Sequence, residues 1–209
     1  MVIFVYLFSF SFIRELIVKG LTAATDKPMP FEPHQALGNI LGVNLVVVAG
    51  WVFTTYISYV LAIELRKKIF PSSNEFMTIA LVPLFASAIS YCNEVTGIRL
   101  GLWQWEYQSG LPMRWIPFDW PFNAFEGWSA TSMMIMFLYI CVRERLFVPN
   151  IWINLVITSV LFIVYAASDL TVKWFGPESP RMKLTLVYLL AFVFLGLFSR
   201  PPLFLKDKS

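Results

Sequence analysis

EVTGIRLGLWQWEYQSGLPMRWIPFDWPFNAFEGW, residues Glu94 to Trp128, joins two strongly apolar stretches of the chain. It holds five of the chain's eight tryptophans, together with Pro112, Pro117 and Pro121. A plain link between two helices needs none of this chemistry. Its first residue is a carboxylic acid inside the end of an apolar segment, where an ionisable group is expensive and usually functional. The apolar stretches on either side decide the fold class, and the acid with its aromatic neighbours marks the place to look for function.

Outward from that stretch, the chain has 209 residues, of which 58% are hydrophobic and 14% charged. Its mean hydropathy is +0.68. A soluble domain carries about 25% charged residues, and several segments here approach the roughly 18 apolar residues that argue for a transmembrane helix. Helices are predicted over 2–20, 38–65, 76–98, 128–147, 151–173 and 182–200, with ends good to about four residues. Pro28, Pro30 and Pro33, then Pro71, Pro149-Asn150, Gly176-Pro177 with Pro180, and Pro201-Pro202 punctuate them. The expectation is an all-α, polytopic membrane helix bundle of about six transmembrane helices. It forms a single integral-membrane domain over 1–209, with a Trp/Pro-rich connection at 99–127, and sits as a multi-pass protein in the cell (inner) membrane. Met1 to Phe12 lacks a positively charged start, so the first segment reads as a retained helix rather than a signal peptide.

The net charge of +3 is spread along the chain. A nucleic-acid surface needs a clustered basic face, so no nucleic-acid partner is expected. Cys92 and Cys141 stand in separate apolar segments and His34 is the only histidine. That inventory leaves no ligand set for zinc, a haem pair or a di-iron centre, and no metal or cofactor is expected. The partners expected are a hydrophobic isoprenoid or lipid substrate and membrane lipids, with no oligomeric state indicated.

Alternating helix directions place the 21–37, 99–127 and 174–181 connections at one end. Glu94 and Asp169 both lie near that end, as do Asn39 and Asn44. Ser87, Ser90, Tyr91 and Glu94 recur at three- and four-residue steps and line one stripe of the third helix. Thr158, Tyr165 and Asp169 do the same on the fifth helix, and Asn44, Trp51, Thr55 and Tyr59 on the second. Polar stripes on apolar helices turn toward the bundle interior, where their groups find partners. The expected site has Glu94 and Asp169 as catalytic acids, with Asn44, Trp51, Tyr91, Trp103, Trp105 and Tyr165 binding the substrate. Desolvation disfavours the charged form of a carboxyl group, so a Glu in such a place can serve as a general acid. Electron-rich indole and phenol faces stabilise a carbocation made by protonating an alkene.

A plainer reading stands beside this one. Asp169 has Lys173 one turn away and Glu94 has Arg99 close by, each a possible ion pair. Glu106, Asp119 and Glu126 read as solvated or helix-capping carboxylates, and His34 as a hydrogen-bonded group. Trp115, Trp120 and Trp128 read as interfacial anchors, and Met133, Met134 and Met136 as packing.

Glu94-x-x-Gly97, Gly101-x-Trp103-x-Trp105, Gly110-Leu-Pro112 and Pro117-x-x-Trp120 together resemble the signature of the integral-membrane carotenoid hydratases. This is the gamma-carotene and bisanhydrobacterioruberin hydratase group, with some likeness to membrane lycopene cyclases. The resemblance implies a multi-helix membrane enzyme without metal that hydrates or cyclises a polyene by acid catalysis. It carries Glu94 over as the acid and Trp103 as a pocket residue. The functional expectation is a cofactor-independent hydratase or terpenoid cyclase acting on an isoprenoid double bond through a carbocation. The rivals are a non-catalytic lipid- or pigment-binding protein, a transporter, and an accessory subunit of a membrane complex.

Overall fold

The computed structural model describes residues 2–24, 31–33, 38–100, 103–105, 122–144, 148–175 and 180–198. Within them the chain forms six helices: α1 (Val2–Ala24), α2 (Leu45–Ile69), α3 (Glu75–Arg99), α4 (Phe122–Glu144), α5 (Ile151–Phe175) and α6 (Pro180–Phe198). Four short strands accompany them, β1 (Phe31–Pro33), β2 (Asn39–Ile40), β3 (Val43–Asn44) and β4 (Trp103–Trp105).

Asparagine starts three of the helices for one reason. Its side-chain oxygen accepts a backbone N–H that a helix leaves orphaned in its first turn. Asn44 accepts from Val46, Asn74 from Phe76 and Asn150 from Trp152, each at 2.9 Å. At its other end α2 carries Arg66, Lys67 and Lys68 in the last turn, where cations complement the helix dipole. The predicted start of α2 at residue 38 is corrected. Residues 39–44 form the β2–β3 hairpin, because Leu41 and Gly42 take positive φ values of 53° and 77° that a helix does not admit. Lys19 of α1 donates to the Gly42 carbonyl and ties the hairpin to the first helix.

α4 is the axis of the bundle. Every residue from Ser129 to Met136 is buried, so this helix has no solvent face along two turns. It packs against α1, α2, α3 and α5. Met133 and Met136 enter the main core with Leu7, Phe10, Val52 and Phe162. α6 lies against α3 and α5, and its Gly196 sits so close to α3 that an added Cβ would stand 2.6 Å from the Met77 nitrogen.

The expectation of about six membrane spans is corrected. Among the described residues two helices, Leu45–Ile69 and Glu75–Gly97, are long and apolar enough to cross a membrane, by length and composition alone. Within the described parts of α5 and α6 lie two further apolar runs, Ile151–Tyr165 and Lys183–Phe198. α1 buries Arg14 and Glu15 in its middle, and the interior holds hydrogen-bonded hydroxyl pairs such as Thr55–Ser132. Composition counts apolar residues without asking what covers them, and in α4 other helices cover them. The architecture is an all-α six-helix bundle, and the placement as a multi-pass protein of the cell membrane falls with the six spans, as does the membrane setting implied by the family resemblance.

Candidate functional site

Glu94 lies on α3 with 3% of its surface exposed. One of its oxygens, Oε1, accepts the indole N–H of Trp128 at 2.7 Å. Trp128 stands near the start of α4's buried stretch, and its ring stacks on that of Trp51 from α2 with centroids 3.9 Å apart and planes 29° apart. The second indole repeats the arrangement of the first: Trp51 Nε1 donates to Glu15 Oε1 of α1 at 2.8 Å. Glu15 is ion-paired with Arg14, whose guanidinium carbon lies 4.7 Å from the centre of the Trp51 ring. Four helices thus contribute to one chain of contacts, Arg14–Glu15–Trp51–Trp128–Glu94.

The direction of the helices explains why these groups meet. Phe4 contacts Tyr56 and Glu15 contacts Trp51, so α1 runs antiparallel to α2. Trp51–Trp128 and Thr55–Ser132 advance together, so α2 and α4 run parallel. Gly50 leaves room beside the pair: a Cβ there would lie 3.4 Å from the Trp128 ring. One turn from the indoles the polar stripe continues as Ser87–Ser129 at 2.5 Å and Thr55–Ser132 at 3.0 Å. Ser87 also donates to the carbonyl of Pro83, and Ser90 to that of Ser87, so these hydroxyls are spent on local partners.

The two rings of the stack are not equivalent. Trp51 is 4% exposed, with its N–H on Glu15, a cation against its ring and Trp128 stacked on it. Trp128 is only half-buried. The less buried ring of the stack belongs to Trp128, which reads from the sequence as an interfacial anchor.

The other expected site residues fall as follows. Asn44 caps α2, its oxygen bound to the Val46 N–H. Tyr165 is buried on α5 and its hydroxyl lies 3.5 Å from that of Thr131 on α4. Tyr91 is half-buried on α3, three residues before Glu94. Trp103 and Trp105 lie in β4, which pairs antiparallel with β1 and sets Trp105 opposite Phe31 and Trp103 opposite Pro33. The 99–127 connection is thereby tied to residues 31–33, at the same end as expected. Asp169 lies on α5, one turn beyond Tyr165, and α5 runs back along α4, so its backbone stands near the level of Trp128. Its side chain is outside the description, as is that of Glu126 on α4. His34, Glu106, Trp115, Asp119 and Trp120 lie outside the described residues.

Sequence reasoning missed Arg14 and Glu15. The available signal was their adjacency: two opposite charges side by side in an otherwise apolar helix are costly unless they are paired and used. Among the described residues, no group of three or more His, Cys, Asp or Glu is placed to hold a metal ion. Comparisons with protein-family models, curated proteins and solved structures return no match.

Proposed function

We propose that the protein is an acid–base catalyst acting on a carbon–carbon double bond of an isoprenoid substrate, with Glu94 as the proton donor. The observation that carries this is a carboxyl group 3% exposed and hydrogen-bonded to one ring of a stacked indole pair. Glu94 Oε1 accepts the Trp128 N–H, and in the acid form the carboxyl carries the transferable proton. In the first step the carboxyl O–H bond breaks as a C–H bond forms, and the positive charge appears on the neighbouring carbon. The π face of Trp128 stabilises that charge by its quadrupole. Water then adds to the cation and releases a proton, or a second double bond of the same substrate closes a ring and a C–H proton is lost. Either way the carboxylate regains a proton, with Asp169 as a candidate to relay it.

The same contacts favour one other reading, a site that binds an apolar polyene without changing it, because the Trp128 bond gives Glu94 a purely structural use. The experiment that separates the two compares the polyenes of cells with and without the protein by mass and retention time, then repeats the comparison with Glu94→Gln. Catalysis predicts a product heavier by one water, or an isomer of equal mass. It also predicts a drop of about 10²- to 10⁴-fold in the variant, the usual range for a lost general acid. A folded Glu94→Gln protein with undiminished product sinks the catalytic reading. A purified wild-type protein that returns its polyene unaltered supports the binding one.

A further inference from the structure

The pair Arg14–Glu15 is the part of the contact chain that the proposed chemistry does not consume. Arg14 is 9% exposed and Glu15 5%, on a helix whose neighbouring turns are largely Phe, Leu, Ile and Val. Burying an ion pair costs more desolvation than its attraction repays unless geometry and further hydrogen bonds are good, and apolar residues of similar size would stabilise such a helix better. What the pair touches is Trp51: one oxygen of Glu15 takes the indole N–H at 2.8 Å, and Arg14 lies against the ring.

A tryptophan side chain has two torsions. Packing alone restrains them weakly, while a directed N–H bond to a fixed carboxylate selects one orientation. The plane of Trp51 is therefore set from α1. Trp128 stacks on that plane at 3.9 Å, and its own N–H then points at Glu94.

We propose that Glu15, held by Arg14, is a positioning residue for Glu94, acting through the Trp51–Trp128 stack. The proposal rests on the acid-catalyst reading above, but its first readout does not. Two indoles stacked at this distance couple their electronic transitions and give a paired positive and negative band in circular dichroism. That couplet reports the stack whether or not the protein turns anything over.

The test uses the full-length protein and an acyclic isoprenoid polyene in detergent micelles. Glu15→Ala is expected to diminish the couplet and to lower kcat about tenfold with KM unchanged, the scale of one lost charged hydrogen bond. Glu15→Gln, which keeps an acceptor oxygen for the Trp51 N–H, is expected to restore the couplet and part of kcat. Glu94→Gln is expected to keep the couplet while losing product. Glu15→Ala with a wild-type couplet and wild-type kcat overturns the positioning role. Active Glu94→Gln instead overturns the catalytic reading, leaving the couplet to decide on Glu15 alone. If Glu15→Ala does not fold, Trp51→Phe takes its place. It keeps a ring but has no N–H for Glu15, and an unchanged kcat in that variant also overturns the proposal.

Discussion

Glu94 and Glu15 are each shielded from water, and in each case an indole N–H supplies part of what water would have given. A buried carboxylate without such partners is not tolerated, so the tryptophans are as much a consequence of the acids as the reverse. The two cysteines show how burial changes a side chain of one chemical type. Cys92 is exposed on α3, whereas Cys141 is fully buried on α4, and burial pushes its thiol from near 9 up to about 12. The thiolate is the reactive form. A maleimide reagent at neutral pH is therefore expected to modify Cys92 in the native protein and Cys141 only after denaturation, as peptide mapping would show. Rapid native labelling of Cys141 contradicts the burial of α4. The sign of the pH dependence follows as well. Below about pH 9 the thiol is protonated folded and unfolded, and between 9 and 12 only the unfolded chain releases its proton. Stability linked to Cys141 is thus complete at neutral pH and declines as pH rises through that window. The burial of Glu94 and Trp51 was legible in the sequence, because an acid in an apolar segment and a Trp on a polar stripe both turn toward a bundle interior. Trp128 and Glu15 were not, since their roles depend on partners 34 and 36 residues away.

The junction of α3 and α6 is the most demanding contact between elements. Asn74 caps α3 through Phe76, and its amide donates to the Leu195 carbonyl at 3.0 Å, while its backbone N–H meets the Gly196 carbonyl at 3.3 Å. Gly196 permits that approach because a Cβ would fall 2.6 Å from the nitrogen and 2.8 Å from the Cα of Met77, both backbone atoms that cannot swing aside. Gly196→Ala gains helix propensity in α6, worth about 1 kcal/mol in a free helix. Here the clash outweighs it, and a net loss of about 1–3 kcal/mol is expected, the cost of overpacking a tight contact. Equilibrium unfolding in urea measures this; a variant as stable as the parent would place α6 farther from α3. The six helices themselves were readable, with proline and asparagine punctuation marking most of their ends. The β2–β3 hairpin and the β1–β4 pairing were not. The first depends on positive φ at Leu41 and Gly42, and the second joins segments far apart in the chain, pairing Phe31 with Trp105 and Pro33 with Trp103.

The whole molecule is a bundle built around α4, which is buried on every side from Ser129 to Met136. A chain with 58% hydrophobic residues can spend them on membrane spans or on mutual burial, and the sequence pattern of α4, apolar with interspersed Ser and Thr, fits both. Within α4, Ser129, Thr131 and Ser132 are buried and meet Ser87, Tyr165 and Thr55 across helix contacts. Apolar run length and proline punctuation carried the number of helices, and alternating helix direction the end of the bundle where Glu94 lies, whereas the surroundings of each helix were not written in any local stretch. Proton transfer from the buried Glu94 to carbon leaves a permanent mark. The protein is given an acyclic isoprenoid polyene in heavy water, and the product is analysed by mass spectrometry and proton NMR. The predicted result is deuterium fixed at one carbon of the product, present for wild type and absent for Glu94→Gln. Product formed without any carbon-bound deuterium, or with the same deuterium content when Glu94 is replaced by Gln, would contradict Glu94 as the proton donor.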